Sequence, residues 1–158
     1  MRELILLRHA HAEPAANGQA DIDRPLSPHG LAEAEAAGRW LQEHKLVPDR
    51  VLCSPARRTR ETLEAVLERT GYVEQRLEER IYEAAPGTLA ALLDEHKEVE
   101  RLLVVGHNPG LEQLVALMHS GQSGDYRGMP PASVAVLSLP MEAAIEPGIA
   151  RLTEFWWP

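Results

Sequence analysis

One cysteine, Cys53, stands in a chain of 158 residues, so no internal disulfide can form and a disulfide-stapled scaffold is excluded. No window approaches the roughly 18 apolar residues of a membrane span. At the N-terminus, Met1-Arg2-Glu3 is followed only by the short run Leu4 to Leu7, which is not an apolar region of signal-peptide length. A cytoplasmic, reducing setting with no membrane partner is the expectation. Positive charge is also short: 16 Lys plus Arg face 24 Asp plus Glu, for a formal net charge of −8. A surface this acidic repels the nucleic-acid backbone and anionic lipid unless its basic groups are gathered locally, so no nucleic-acid partner is expected. By the same sum, an anionic ligand looks disfavoured.

What is present is an ordinary globular composition, 44% hydrophobic and 25% charged, of a length that suits one domain spanning residues 1–158. Leu4 to Leu7 and Arg101 to Val105 are brief apolar runs that read as buried parallel strands, and Arg50 to Cys53 is another brief apolar run. Ser133 to Leu139 is a β-branched-rich strand, and Arg151 to Trp157 adds an edge strand. Helical spacing covers Ser27 to Lys45, Ala56 to Thr70, Thr88 to Glu98 and Leu111 to Met118. Strands alternating with helices predict an α/β fold, a three-layer sandwich around a mostly parallel sheet. Segments Pro14 to Asp23 and Ser120 to Pro131 read as loops.

Three helix starts look alike. Ser27-Pro28, Ser54-Pro55 and Asn108-Pro109 each set a capping side chain before a proline. Ser54 and Asn108 follow predicted strands closely, and in open α/β sheets that rim at the strand carboxyl ends is where ligands bind. The rim carries Arg8-His9-Ala10-His11, then Ala56-Arg57-Arg58-Thr59-Arg60, then Gly106-His107-Asn108-Pro109. A cation at a helix N-terminus costs about 0.3–1 kcal/mol when exposed. Arg57, Arg58 and Arg60 run against that preference unless an oxyanion sits among them, since backbone N–H groups, dipole and guanidinium forks all favour phosphate. Each residue alone has a plain reading: the arginines pair with Glu61 or Glu64, and a lone histidine after a strand is a hydrogen-bonded structural group. Three strand ends carrying such residues together point to a site.

In order along the chain, Leu7-Arg8-His9-Ala10, Arg24-Pro25-Leu26-Ser27, Ser54-Pro55-Ala56-Arg57-Arg58-Thr59-Arg60-Glu61-Thr62, Ile81-Tyr82-Glu83-Ala84 and Val104-Val105-Gly106-His107-Asn108-Pro109 resemble the motifs of the histidine phosphatase superfamily. Its members include phosphoglycerate mutases, acid phosphatases and the small SixA-type phosphohistidine phosphatases. Chain length and the Gly-His-Asn-Pro wording are most similar to the SixA branch. The resemblance implies a phosphoglycerate-mutase-like fold, with His9 as a nucleophile that carries the phosphoryl group and Arg8, Arg58 and His107 as the clamp around it. Asn108 and Arg24 are implied as substrate-binding residues. Family spacing from Ser54 and to Thr62 selects Arg58 over Arg57. Glu79 occupies a setting similar to that of the mutase acid and is the candidate general acid, with Glu83 a second choice; a solvated surface charge is the plain reading of Glu79.

The expectation is therefore a metal-independent phosphatase with no cofactor, acting on a phosphorylated protein (phosphohistidine) or a small phosphorylated molecule. A small-molecule phosphomonoesterase and a non-catalytic phosphate-binding module are the alternatives, the intact set Arg8, His9, Arg58 and His107 speaking against the latter. His9, His11 and His107 could suggest zinc, but the arginines would repel a dication; His11 is expected at the pocket mouth. His29, His44, His96 and His119 are expected to face solvent or cap helices, Cys53 to be buried and structural, and Phe155-Trp156-Trp157 to pack a terminal strand onto the body.

Overall fold

Leu4, Ile5, Leu6 and Leu7 are fully buried, and they alternate between two apolar clusters on opposite faces of one sheet. A strand covered on both faces has no polar side, so it appears in sequence as an unbroken apolar run. The computed structural model describes residues 1–122, 124 and 128–158. In chain order its main elements are β1 (Arg2–Arg8), α1 (Pro28–Glu43), β2 (Arg50–Cys53), α2 (Arg57–Thr70), β3 (Glu74–Leu77), α3 (Pro86–Asp94), β4 (Arg101–Gly106), α4 (Gly110–Ser120), β5 (Val134–Leu139) and β6 (Arg151–Trp156). The loop expected at 120–131 falls partly on 123 and 125–127, which lie outside the described residues.

The six strands form one sheet in the order β3-β2-β4-β1-β5-β6. The first four are mutually parallel; β5 and β6 are antiparallel to their neighbours. Residues of α1 and α2 (Ala37, Leu41, Leu63, Val66) pack with Ile5, Leu7, Leu103 and Val105 on one face. Those of α3 and α4 (Leu89, Leu92, Leu114, Met118) pack with Leu4, Leu6, Leu102 and Val104 on the other. The result is the expected three-layer α/β/α sandwich with a mostly parallel sheet. Neighbouring strands β1 and β4 send their following helices to opposite faces. A crevice opens between their carboxyl ends, the switch point where α/β sheets bind ligands.

Ser27 caps α1 as expected, its Oγ accepting from Gly30 N at 2.9 Å. Glycine is required at 30, because a Cβ there would lie 1.9 Å from the His11 carbonyl oxygen; the helix start thus seats directly on the segment following β1. Two expected caps are corrected. Helix α2 begins after Ala56 and α4 after Pro109, neither with a side-chain cap, because Ser54 and Asn108 spend their side chains elsewhere. Two further corrections concern β3, whose Glu-Gln-Arg-Leu is wholly exposed and gave no apolar signal, and α3, which starts at Pro86 rather than Thr88 and ends at Asp94. At the far edge, Trp156 stacks on Trp40 with centroids 5.6 Å apart, so the aromatic tail packs β6 onto the body.

Candidate active site

Because Arg8 pairs with Gly106 at the ends of β1 and β4, the residues that follow are forced side by side. His9 N donates to Gly106 O at 3.1 Å, and the His9 and His107 rings lie 5.3 Å apart. Arg8, His9, Arg24, Arg58, His107 and Asn108 line one cavity of about 560 Å³. With Glu83, the second-choice acid, seven of the eight residues named from sequence thus meet in one place. Glu79 does not: it is exposed, beyond the lining, whereas Glu83 and Tyr82 are in the wall.

The hydrogen bonds settle which nitrogen of His9 is free. Its Nδ1 lies 2.7 Å from Ala10 O; a carbonyl only accepts, so Nδ1 carries the proton and Nε2 keeps its lone pair. Burial first, then the Arg58, Arg8 and Arg24 cations, push the His9 pKa down to about 4 from the ordinary 6.5, against the pull of the Ala10 hydrogen bond. His9 is therefore a neutral imidazole near neutral pH, the form that can attack. The segment is held from α2, where Thr62 Oγ1 accepts from Ala10 N at 3.0 Å and donates to Arg58 O at 2.7 Å. One hydroxyl fixes the backbone of both His9's neighbour and the arginine.

His107 is fixed likewise. Arg58 Nη2, a donor only, approaches His107 Nδ1 at 3.4 Å, so the other ring nitrogen, Nε2, donates to Ser54 Oγ at 2.8 Å. This is what Ser54 does in place of capping. Burial, then His9 and Arg58, lower the His107 pKa to about 3. Asn108 Nδ2 donates to Met129 O at 2.8 Å and to Glu112 Oε2 at 3.1 Å. Arg8 Nη1 donates to the same Met129 O at 2.8 Å. Arg8 is thereby tied to the segment that precedes β5.

Of the three arginines opening α2, only Arg58 turns inward, its side chain 8% exposed. Arg57 pairs with Glu61 at 3.2 Å on the solvent face, and Arg60 donates to Pro55 O; for those two the plain surface reading holds. Arg58 donates from Nη1 to Asp21 O at 2.8 Å and from Nη2 to Asp21 Oδ2 at 3.1 Å. Arg24 reaches Glu13 O at 2.8 Å and Asp21 Oδ1 at 3.1 Å. Asp21 and Tyr82 are the participants that sequence reasoning missed. Tyr82 had a signal, since it stands inside a matched motif; Asp21 had none beyond its place in a polar loop.

The remaining histidines and Cys53 lie outside this network. His11 is not at the cavity but on Ser27 Oγ at 2.7 Å, drawn there by the turn into α1. His96 is buried against Arg50 at 3.0 Å rather than solvent-facing. Cys53 is buried as expected, its thiol donating to Ser54 O and pushed up to about 12 by burial, which disfavours the thiolate.

The chain is similar to several known proteins. Residues 4–101 match the histidine phosphatase superfamily (branch 1). An uncharacterized protein of Mycobacterium tuberculosis is 39% identical over 159 residues, covering 94% of this chain and 98% of its own length. The phosphohistidine phosphatase SixA of Escherichia coli is 30% identical over 127 residues, 77% of this chain and 76% of its own. Among solved structures, a candidate phosphohistidine phosphatase SixA from Agrobacterium tumefaciens superposes with a TM-score of 0.87 at 31% identity, covering 99% of this chain and 98% of its own. The fold is the phosphoglycerate-mutase-like one.

Proposed function

The chain belongs to the histidine phosphatase superfamily, and from that premise we propose that residues 1–158 form one phosphatase domain that dephosphorylates protein phosphohistidine through a covalent intermediate on His9. The observation that carries this reading is a neutral His9 with Nε2 free, in one cavity with Arg8, Arg58 and His107.

His9 Nε2 attacks phosphorus with its lone pair. The phosphorus–nitrogen bond of the substrate breaks, and its electron pair goes to the departing imidazole, which takes a proton from solvent. Water then attacks the phosphorylated His9, the new phosphorus–nitrogen bond breaks, and orthophosphate leaves with His9 restored. Two easier steps replace one difficult displacement. Charge builds on the equatorial oxygens in each, and guanidinium groups held beforehand by Met129 O and Asp21 meet it without reorganising. An arriving phosphoryl group also reverses the field around His107, favouring its protonated, donating form.

Imidazole leaves readily without a strong acid, whereas an alkoxide needs a proton. With Glu79 outside the cavity, a phosphohistidine substrate suits the site. The SixA names of the relatives support the same choice. Nucleophile and charge neutralisation both come from side chains, so the reaction needs no metal or cofactor. The proposal includes a cytoplasmic location, the reducing setting that suits a chain with a single cysteine. Glu83 in the wall favours one other reading, a small-molecule phosphomonoesterase with that carboxyl as acid. Side-by-side turnover of a phosphohistidine protein and a panel of phosphate esters decides between them. The proposal expects the higher kcat/KM on phosphohistidine; a higher value on an ester overturns it in favour of the second reading.

A further inference from the structure

Asp21 sits in a short helical turn (Asp21–Asp23) between β1 and α1, and its carboxylate gathers three donors. Arg24 Nη1 is at 3.1 Å, Arg58 Nη2 at 3.1 Å and the Tyr82 hydroxyl at 2.5 Å, while its main-chain oxygen takes Arg58 Nη1 at 2.8 Å. All three partners line the cavity and Asp21 does not, so it acts through them. Its side chain is 51% exposed where Arg58 is 8%. The carboxylate is thus the exposed member of the pair, bonded to three side chains that line the cavity. The Tyr82 hydroxyl above all, with Arg24 and Arg58, holds its pKa below the usual carboxylate range, so Asp21 is charged near neutral pH.

Resting on the reading of this cavity as a phosphatase site, we propose that Asp21 is a positioning and charge-selecting residue: it fixes Arg58 and Arg24 for the phosphoryl group and disfavours substrates whose leaving group carries a second negative charge. The phosphoryl group itself is drawn past it by Arg8 and Arg58 deeper in. A carboxylate or second phosphate on the leaving part would meet Asp21 and the wall residue Glu83, while Arg24, the cation beside them, already gives its donors to Glu13 O and Asp21 Oδ1. A neutral or cationic leaving part meets attraction or indifference there. The class of substrate selected is a phosphoryl group on a neutral or basic carrier, such as a histidine flanked by lysine or arginine.

A matched series tests this: N-acetyl phosphohistidine, whose free carboxylate is anionic, its neutral methylamide, and phosphohistidine methylamide, whose free amine is cationic. In the wild type kcat/KM should rise from the anionic to the cationic member by about tenfold, as expected for a two-unit change of charge facing Asp21 at partly screened range. Asp21→Asn should lower kcat throughout, because Arg58 loses its anchor, and should flatten the series. Asp21→Glu should retain the order. A purely structural role would lower all three rates together and leave the ratio intact, so an unchanged ratio in a folded Asp21→Asn protein overturns the charge-selecting role. If the wild type turns over none of the three, the same comparison is read with phosphohistidine peptides whose flanking residues are acidic, neutral or basic; no turnover of these, of a phosphohistidine protein or of a phosphate ester overturns the phosphatase reading as well.

Discussion

Replacing His9 by Asn should make the protein less sensitive to acid, and the size of the effect follows from its surroundings. Burial holds the folded pKa at about 4, from an ordinary 6.5. A base whose folded pKa is depressed binds its proton more readily when unfolded, so unfolding gains protons as pH falls. The stability tied to neutral His9 is complete above about pH 6.5 and is lost as pH falls toward about pH 4. Between about pH 7 and about pH 4.5 the loss integrates to roughly 2 kcal/mol at 1.36 kcal/mol per unit. That is a large share of the roughly 5–15 kcal/mol that holds a domain. Asn keeps an N–H for Ala10 O but does not titrate. Urea unfolding of wild type and His9→Asn at the two pH values measures the difference, and the variant should lose about 2 kcal/mol less than the wild type. Equal losses would refute the claim that His9 is buried and neutral. Added orthophosphate should protect the wild type at the lower pH, because an anion in the cavity reverses the local field.

Arg58→Lys should lower kcat/KM by 100-fold or more, on the order of 3 kcal/mol, since a single ammonium nitrogen lacks the planar two-nitrogen fork that grips Asp21 O and Oδ2 while facing a phosphoryl oxygen; steady-state kinetics with a folded variant checks it. Thr62→Val should cost about 1–3 kcal/mol of stability, because it orphans the buried Ala10 N–H, and a melting curve reads the shift. Its turnover should fall too, as both His9 and Arg58 lose a shared anchor. Exhaustive treatment with a chelator should leave the rate unchanged, as expected of a site built from guanidinium and imidazole groups; a loss restored by added metal would count against it.

Strands β1, β2 and β4 were legible because burial on both faces writes itself as a continuous apolar run. Strand β3 was not: it is held by pairing with β2 alone, and exposed Glu-Gln-Arg-Leu has no period to detect. The site was legible as motifs at strand ends, yet local rules misplaced parts of it. Ser54 and Asn108 look like helix caps, and the tertiary structure uses them to hold His107 and Met129 instead. The run of three arginines cannot reveal which one faces inward, a matter of helical phase against the sheet. Asp21 was invisible because its role comes from a loop folding across β-strand ends, 37 residues from Arg58 and 61 from Tyr82. The net charge of −8 misled for a related reason: the cavity collects Arg8, Arg24 and Arg58, and a sum over the chain hides where they meet.

The central claim is that His9 takes the phosphoryl group. The direct measurement is to mix the protein with a radiolabelled phosphohistidine protein, quench within one turnover, and locate the label. The label should appear on His9, be lost in acid and survive alkali, and neither label nor turnover should be seen with His9→Ala. An acid-stable adduct on another residue, or full turnover by His9→Ala, would contradict the mechanism.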